Sequence, residues 1–234
     1  MKIWSFLPTA QPRFALAVVV LICAGSSISG CASLLPKPVA APTLYTLEGK
    51  ATPATALPSD APAKASATVT LVVNTPRADA GFDSPHMMYV REPYKLEYFV
   101  HSEWVDTPAR MLLPLVVLTV GKAGAFKAVV PATIAATGEL TLDTEIVRLQ
   151  QDFSAKPSRV VFTVRVYLVD TQSRKTIAWR ELEAVVAAPS DDPAGGVVAA
   201  NRAVQMALQQ VADFCVEAEK LWQVTRLNAS SLKP

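Results

Sequence analysis

The run Val160-Val-Phe-Thr-Val-Arg-Val-Tyr-Leu168 decides the fold. Its even positions, Val160, Phe162, Val164, Val166 and Leu168, are all apolar, while the odd ones include Thr163, Arg165 and Tyr167. A period of two sends alternate side chains to opposite faces of a strand, so one face is buried and the other is partly wet. Thr171-Gln172-Ser173 supplies a hairpin turn, and Thr176 to Val186 returns as the partner strand. Leu140 to Phe153 precedes them as a second long strand.

Downstream, Asp191-Asp192-Pro193 announces a helix over about 196–222. Val197, Ala200, Val204, Leu208, Val211, Cys215, Ala218 and Trp222 recur at three- and four-residue spacing. Arg202, Gln209, Asp213 and Lys220 fall off that stripe, which makes the helix amphipathic.

Upstream the elements are shorter. Leu44 to Leu47, Thr68 to Asn74, Met87 to Arg91 and Lys95 to His101 read as strands, and Phe126 to Val130 is a further short one. Asp106-Thr107-Pro108 opens a second helix, capped by Asp106 or Thr107, with Met111, Leu112, Leu115, Val116 and Thr119 on one face. Pro114 conflicts with it, because proline removes a backbone donor and clashes one turn back. The reading favours a kinked helix over a strand at Val116–Val120, ended by Gly121 and Gly124. The fold class is therefore α+β. It is a single domain, a mixed and largely antiparallel sheet packed against two main helices over residues 43–227. Residues 49–67, rich in Ala, Pro and Ser, read as a mobile loop, and residues 228–234 as a frayed tail.

Composition excludes several functions. Of the 234 residues, 51% are hydrophobic and 18% charged, which is the reverse of a disordered chain. Lys plus Arg number 22 against 20 Asp plus Glu, so no basic excess points to nucleic acid. Three Cys and two His are too few for a disulfide scaffold or a multi-ligand zinc site.

The N-terminus reads as an address. Lys2 and Arg13 bracket a charged region, and an apolar run of about eleven residues, Phe14 to Ala24, follows. That run is too short to span a bilayer as an ordinary helix. Small residues then lead to Ile28-Ser29-Gly30-Cys31, which matches a bacterial lipoprotein box. Residues 1–30 are expected as a signal peptide. Cys31 is expected to carry a diacylglycerol and an N-acyl chain such as palmitate, with no other cofactor. Residues 31–42, the acylated Cys and a tether with three prolines, reach at most about 35 Å over roughly ten residues. Loss of the signal removes two cations and leaves a neutral mature chain in which Cys215 is the one free thiol. Ala32, rather than Asp, after the lipid cysteine favours the periplasmic face of the outer membrane.

Catalytic motifs are missing from the sequence. Val120-Gly121-Lys122-Ala123 lacks the rest of a Walker A loop, and there is no GxGxxG, GxSxG or HExxH. His101 beside Glu103 is more simply a surface histidine at a strand end. Cys215 on the apolar stripe is a core thiol, and Glu181 with Glu183 is a solvated strand face. No residue is assigned a catalytic or metal-binding role.

The aromatic distribution carries more information. Tyr89, Tyr94, Tyr98, Phe99 and Trp104 lie within 16 residues. With Leu96, Tyr98 and Val100 toward the core, Lys95, Phe99 and His101 would face away. An outward Phe calls for a covering helix, a partner or a lipid.

The stretch from Met88 through Tyr98 and Trp104 to Pro108 and Leu113 resembles the ABC-type transport auxiliary lipoproteins, a PqiC/YmbA-like family. Leu44-Tyr45-Thr46-Leu47, Phe126 to Val129, Leu142 to Ile146, Asp152-Phe153 and Ala200-Asn201-Arg202-Ala203 fit the same pattern in order. The resemblance spans nearly all of residues 31–225. It departs at residues 49–67, which are long and Pro-rich, and at Pro114. It implies a periplasmic accessory lipoprotein, held to the membrane by its lipid. Its partners would be an MCE-domain protein, an ABC permease and an ATPase that move lipids or other hydrophobic molecules between membranes. A homo-oligomeric ring is compatible with that role. Tyr89, Tyr94, Phe99 and Trp104 are the candidate docking or core aromatics. The competing reading is a structural envelope lipoprotein that bridges the outer membrane to the cell wall or a secretion assembly.

Overall fold

The computed structural model describes residues 41–48, 67–134 and 137–231. The signal peptide (1–30), Cys31 with most of its tether, and all but the last residue of the 49–67 loop lie outside the described residues.

In chain order the strands are β1 (Thr43–Tyr45), β2 (Thr70–Val73), β3 (Arg77–Ala78), β4 (His86–Val90), β5 (Leu96–Trp104), β6 (Ala128–Pro131), β7 (Leu140–Asp152), β8 (Arg159–Asp170) and β9 (Thr176–Ala187). The helices are α1 (Pro108–Lys122) and α2 (Pro193–Ser231), and a short 3-10 turn covers Ala132–Ile134. β7 organises the nine-stranded sheet. Along one edge it pairs antiparallel with β8, from Leu140↔Asp170 to Asp152↔Arg159, and β8 pairs antiparallel with β9. Along its other edge three short strands dock in succession, all parallel: β2, β3 and then β4. β6 continues beyond β2 in parallel, β5 returns antiparallel to β4, and β1 lies parallel to β5. The sheet is mixed, its two longest ladders are antiparallel, and two helices pack on it in one α+β domain.

The even-numbered row of β8 is the centre of the core. Phe162, Val164, Val166 and Leu168 are fully buried. Burying such side chains contributes about 1.5–3 kcal/mol each. α2 covers them with Ala203, Val204, Ala207, Leu208, Val211 and Cys215. The alanines keep this face flat, so the backbone of the helix can approach the sheet closely.

Asp192 starts α2. Its carboxylate accepts from the Gly195 N–H at 2.7 Å and its carbonyl accepts from the Gly196 N–H at 3.0 Å, while Pro193 needs no donor in the first turn. The helix begins close to where the sequence places it but runs on to Ser231, past the Trp222 where the apolar stripe stops. No glycine or proline lies between Trp222 and Ser231 to end it, so part of the expected tail is helical.

α1 is one helix with Pro114 inside it, as the kinked-helix reading required over the strand alternative. Pro114 and Arg110 are both exposed, so the carbonyl that loses its donor lies on the water side. The buried face is Ala109, Leu112, Val116 and Val120, rotated from the expected one, and Met111, Leu115 and Thr119 are half-buried. Neither expected cap bonds the helix through its side chain. Asp106 accepts from the Thr107 N–H instead. Gly121 lies within the helix, and Gly124 turns the chain with φ at +68°.

Candidate functional site

The β4–β5 hairpin holds the aromatic candidates, and its geometry depends on one irregularity. His86 pairs with Glu103 while Met88 pairs with Tyr98, so two steps along β4 span five along β5. The extra residues form a bulge at which Val100 and His101 are both exposed. Before the bulge, Glu97 and Phe99 turn inward; after it, Ser102 and Trp104 do. This reverses the sequence expectation for the strand. Leu96, Tyr98 and Val100 face out and Phe99 packs against the core. Alternation shows that a strand has two faces but not which one is covered, and the bulge shifts the phase only after Val100.

The four named aromatics therefore separate into two groups. Trp104 is 4% exposed, inside the core with Met87 and Leu149. Its backbone N–H donates to the Pro85 carbonyl at 2.8 Å. A void of about 20 Å³ beside it, lined by Met87, Phe99, Leu149 and Ala200, has room for about one water and no ligand. Tyr89 is 8% exposed, with its ring 4.5 Å from Phe99 and edge-on to Phe153 at 5.7 Å. Arg91 lies over the Tyr89 ring at 4.9 Å, donates to its hydroxyl at 2.5 Å and pairs with Glu97 at 3.3 Å. The Tyr89 hydroxyl first, and the Glu97 charge second, hold the Arg91 guanidinium even more firmly protonated than usual. Tyr94 stands apart, fully exposed at the hairpin turn with φ at +66°.

Two participants were missed in the sequence. Phe153, just past β7, completes the inner aromatic cluster. His86, rather than His101, lies beside Glu103 at 3.5 Å, and its ring stacks on Tyr98 at 4.4 Å. The outer surface of the hairpin therefore presents Tyr94, Leu96, Tyr98 and Val100.

Among the described residues, no group of three His, Cys, Asp or Glu could hold a metal. Cys215 is buried, and burial alone pushes its thiol up to about 12. No helix of the described residues is long and apolar enough to cross a membrane. Cys31 lies outside the described residues.

Comparison with known proteins places these features in a family. The ABC-type transport auxiliary lipoprotein component matches residues 45–212, which include the hairpin, α1, the long ladders and most of the buried stretch of α2. None of the curated proteins matches the chain. The crystal structure of protein XCC0632 from Xanthomonas campestris is similar, with a TM-score of 0.65 at 19% identity, over 79% of this chain and 99% of that one. A second crystal structure, of an uncharacterized protein, has a TM-score of 0.58 at 11% identity over 75% and 99% of the two chains. At such identities these structures speak for the fold alone. The match over most of the domain carries more weight, and on it the chain belongs to the ABC-type transport auxiliary lipoprotein family.

Proposed function

We propose that this chain is a membrane-anchored periplasmic accessory lipoprotein of an ABC transport system with an MCE-domain partner. In this reading it serves the movement of lipids or other hydrophobic molecules between the inner and outer membranes. The observation that carries the reading is the ordered signal, Lys2, the apolar run and Ile28-Ser29-Gly30-Cys31, set before a domain of the auxiliary lipoprotein family. Residues 1–30 are cleaved, Cys31 carries the diacylglycerol and N-acyl chains, and 31–42 tether the 43–227 domain to the periplasmic leaflet of the outer membrane. The domain does no chemistry; it docks, as one copy or as a ring, to the partner that carries the cargo.

The test is a mild-detergent pull-down of the full lipoprotein read by mass spectrometry. Recovery of an MCE-domain protein with its permease and ATPase supports the transport reading. Recovery of cell-wall or secretion components alone overturns it in favour of the structural envelope role. Cys31→Ser should abolish the acyl mass on the protein, and acyl chains that persist in it would overturn the assignment of the anchor to Cys31.

A further inference from the structure

The outer surface of the β4–β5 hairpin is only partly covered within the domain, by the His86 ring stacked on Tyr98 and by the chain at Gly81 beside Leu96. Tyr94 is fully exposed, Tyr98 is 50% and Val100 68% exposed, and Leu96 is exposed beside them. Met88 and Val90, opposite Tyr98 and Leu96 across the ladder, continue the apolar surface. In water such a surface is unfavourable, and in a soluble domain it marks a contact.

Topology says which end of the molecule this is. β5 runs away from the hairpin turn, from Leu96 to Trp104. β1 lies parallel to it, with Thr43 opposite Ser102, so the N-terminal end of β1 points toward the hairpin turn. Cys31 lies about 12 residues before Thr43, a reach of at most about 40 Å. Six residues of β5, about 20 Å of strand, separate Ser102 from Leu96. The tether is therefore long enough for a lipid on Cys31 to reach the leaflet at the hairpin end; the direction of β1 and the aromatics there, not tether length, favour that end. The β8–β9 turn lies at the opposite end of β7, since Val90 is opposite Asp152 while Asp170 is opposite Leu140. Those ends are about 40 Å apart.

The chemistry fits a bilayer surface. Tyrosine has an apolar ring with a polar tip and favours the headgroup boundary. The nearby cations are already neutralised. Arg91 pairs with Glu97 at 3.3 Å, and Lys95 approaches Glu92 and Glu97 at 3.9 Å. Attraction to anionic lipid is therefore not what this surface offers.

We propose that Tyr94, Leu96, Tyr98 and Val100 rest at the headgroup–acyl boundary of the phospholipid leaflet that holds the Cys31 anchor, orienting the domain with its β8–β9 turn away from the membrane. The inference rests on the anchored reading above. The test uses the full mature lipoprotein, labelled with an environment-sensitive fluorophore at Tyr98→Cys or, as control, Ser173→Cys. Each is reconstituted in phosphatidylcholine vesicles with and without brominated acyl chains. The expected result is that about half the fluorescence at position 98 is quenched by bromine and that position 173 is unaffected, at low and high salt alike. Equal behaviour of the two positions overturns the proposal. So does a label at 98 that stays wet on vesicles but leaves water as protein concentration rises in detergent, which would mark a contact between copies. The acyl mass is read on the same sample. An acylated protein with a wet label overturns this inference and leaves the anchor standing, whereas an unacylated protein overturns the anchor and this inference with it.

Discussion

The β8–β9–α2 half and the β1–β4–β5 edge use similar residues for opposite ends. In the first, the apolar row of β8 is closed off by the alanine-rich face of α2, and Phe162 has no exposure. In the second, the strand row Leu96, Tyr98 and Val100 has no helix over it and stays exposed, with only the His86 ring against Tyr98. The difference comes from covering, not from composition. α2 is 39 residues long and lies over β8 and β9, while β5 is held at the margin between β4 and a three-residue β1. One half is stabilised by what it buries, and the other keeps apolar surface available.

The sharpest way to break this contrast is to empty the covered half. Phe162→Ala should cost about 3–5 kcal/mol, because the surrounding β7, β9 and α2 side chains cannot collapse into the space of a ring. Trp104→Ala belongs to the same class despite its place on the marginal strand, since Trp104 is part of the core. Urea denaturation followed by circular dichroism measures both. An unchanged midpoint for Trp104→Ala would place its ring at an interface and move the dividing line between the two regions.

The joint between them is next. A Cβ on Gly195 would lie 2.3 Å from the Ser190 carbonyl oxygen, which is backbone and cannot swing away. Gly195→Ala should therefore cost about 1–3 kcal/mol by overpacking, read in the same denaturation experiment. A neutral result would mean that the loop before α2 yields, and that α2 is not held rigidly against the sheet.

These elements were unevenly legible in the sequence. The alternation Val160 to Leu168 and the stripe from Ala200 to Trp222 are long and regular, so their faces were readable from residue order alone. β7 was readable as a strand, but its register shift between Ile146 and Arg148 was not. The outward phase of β5 was not readable either, because both of its rows carry apolar residues and packing with sequence-distant neighbours decides which one is covered. Pro114 left the helix Pro108–Lys122 readable but not its cost, which depends on where the orphaned carbonyl faces, and only the packed helix shows that. The inner cluster of Tyr89, Phe99 and Phe153 brings together residues more than fifty apart, and no local pattern announces it.

At the far end of the covered half, a carboxylate gives a pH-dependent test. Asp170 accepts from the Ser173 N–H at 2.6 Å and from the Trp222 indole N–H at 2.6 Å, tying the β8–β9 turn to α2. The Ser173 backbone first, and Trp222 after it, hold this carboxyl below its usual range against the opposing effect of burial. A depressed folded pKa means that the stabilisation is complete above the unfolded value near 3.9 and is lost as pH falls through the folded value. Asp170→Asn should thus cost about 1–2 kcal/mol at pH 7, and the gap from the parent protein should close as acid protonates the Asp170 carboxyl in the folded state. A gap that persists unchanged into acid would mean that shape, rather than charge, joins the turn to the helix.

The smallest expected effect is the most telling for the comparison. Val100 is apolar, sits mid-strand by sequence and would pass for core by residue type, yet it lies at the β5 bulge with 68% of its surface in water. Val100→Ser removes little buried area, so stability in detergent-free solution should change by no more than about 0.5 kcal/mol. The same substitution removes a branched apolar group from the surface assigned to the leaflet, and should reduce protection of the β5 backbone in hydrogen-exchange measurements on vesicles. A loss of stability as large as that expected for Trp104→Ala would show that this row packs against protein after all. The exposed edge would then be a second, hidden part of the core, and the contrast between the two halves would fall.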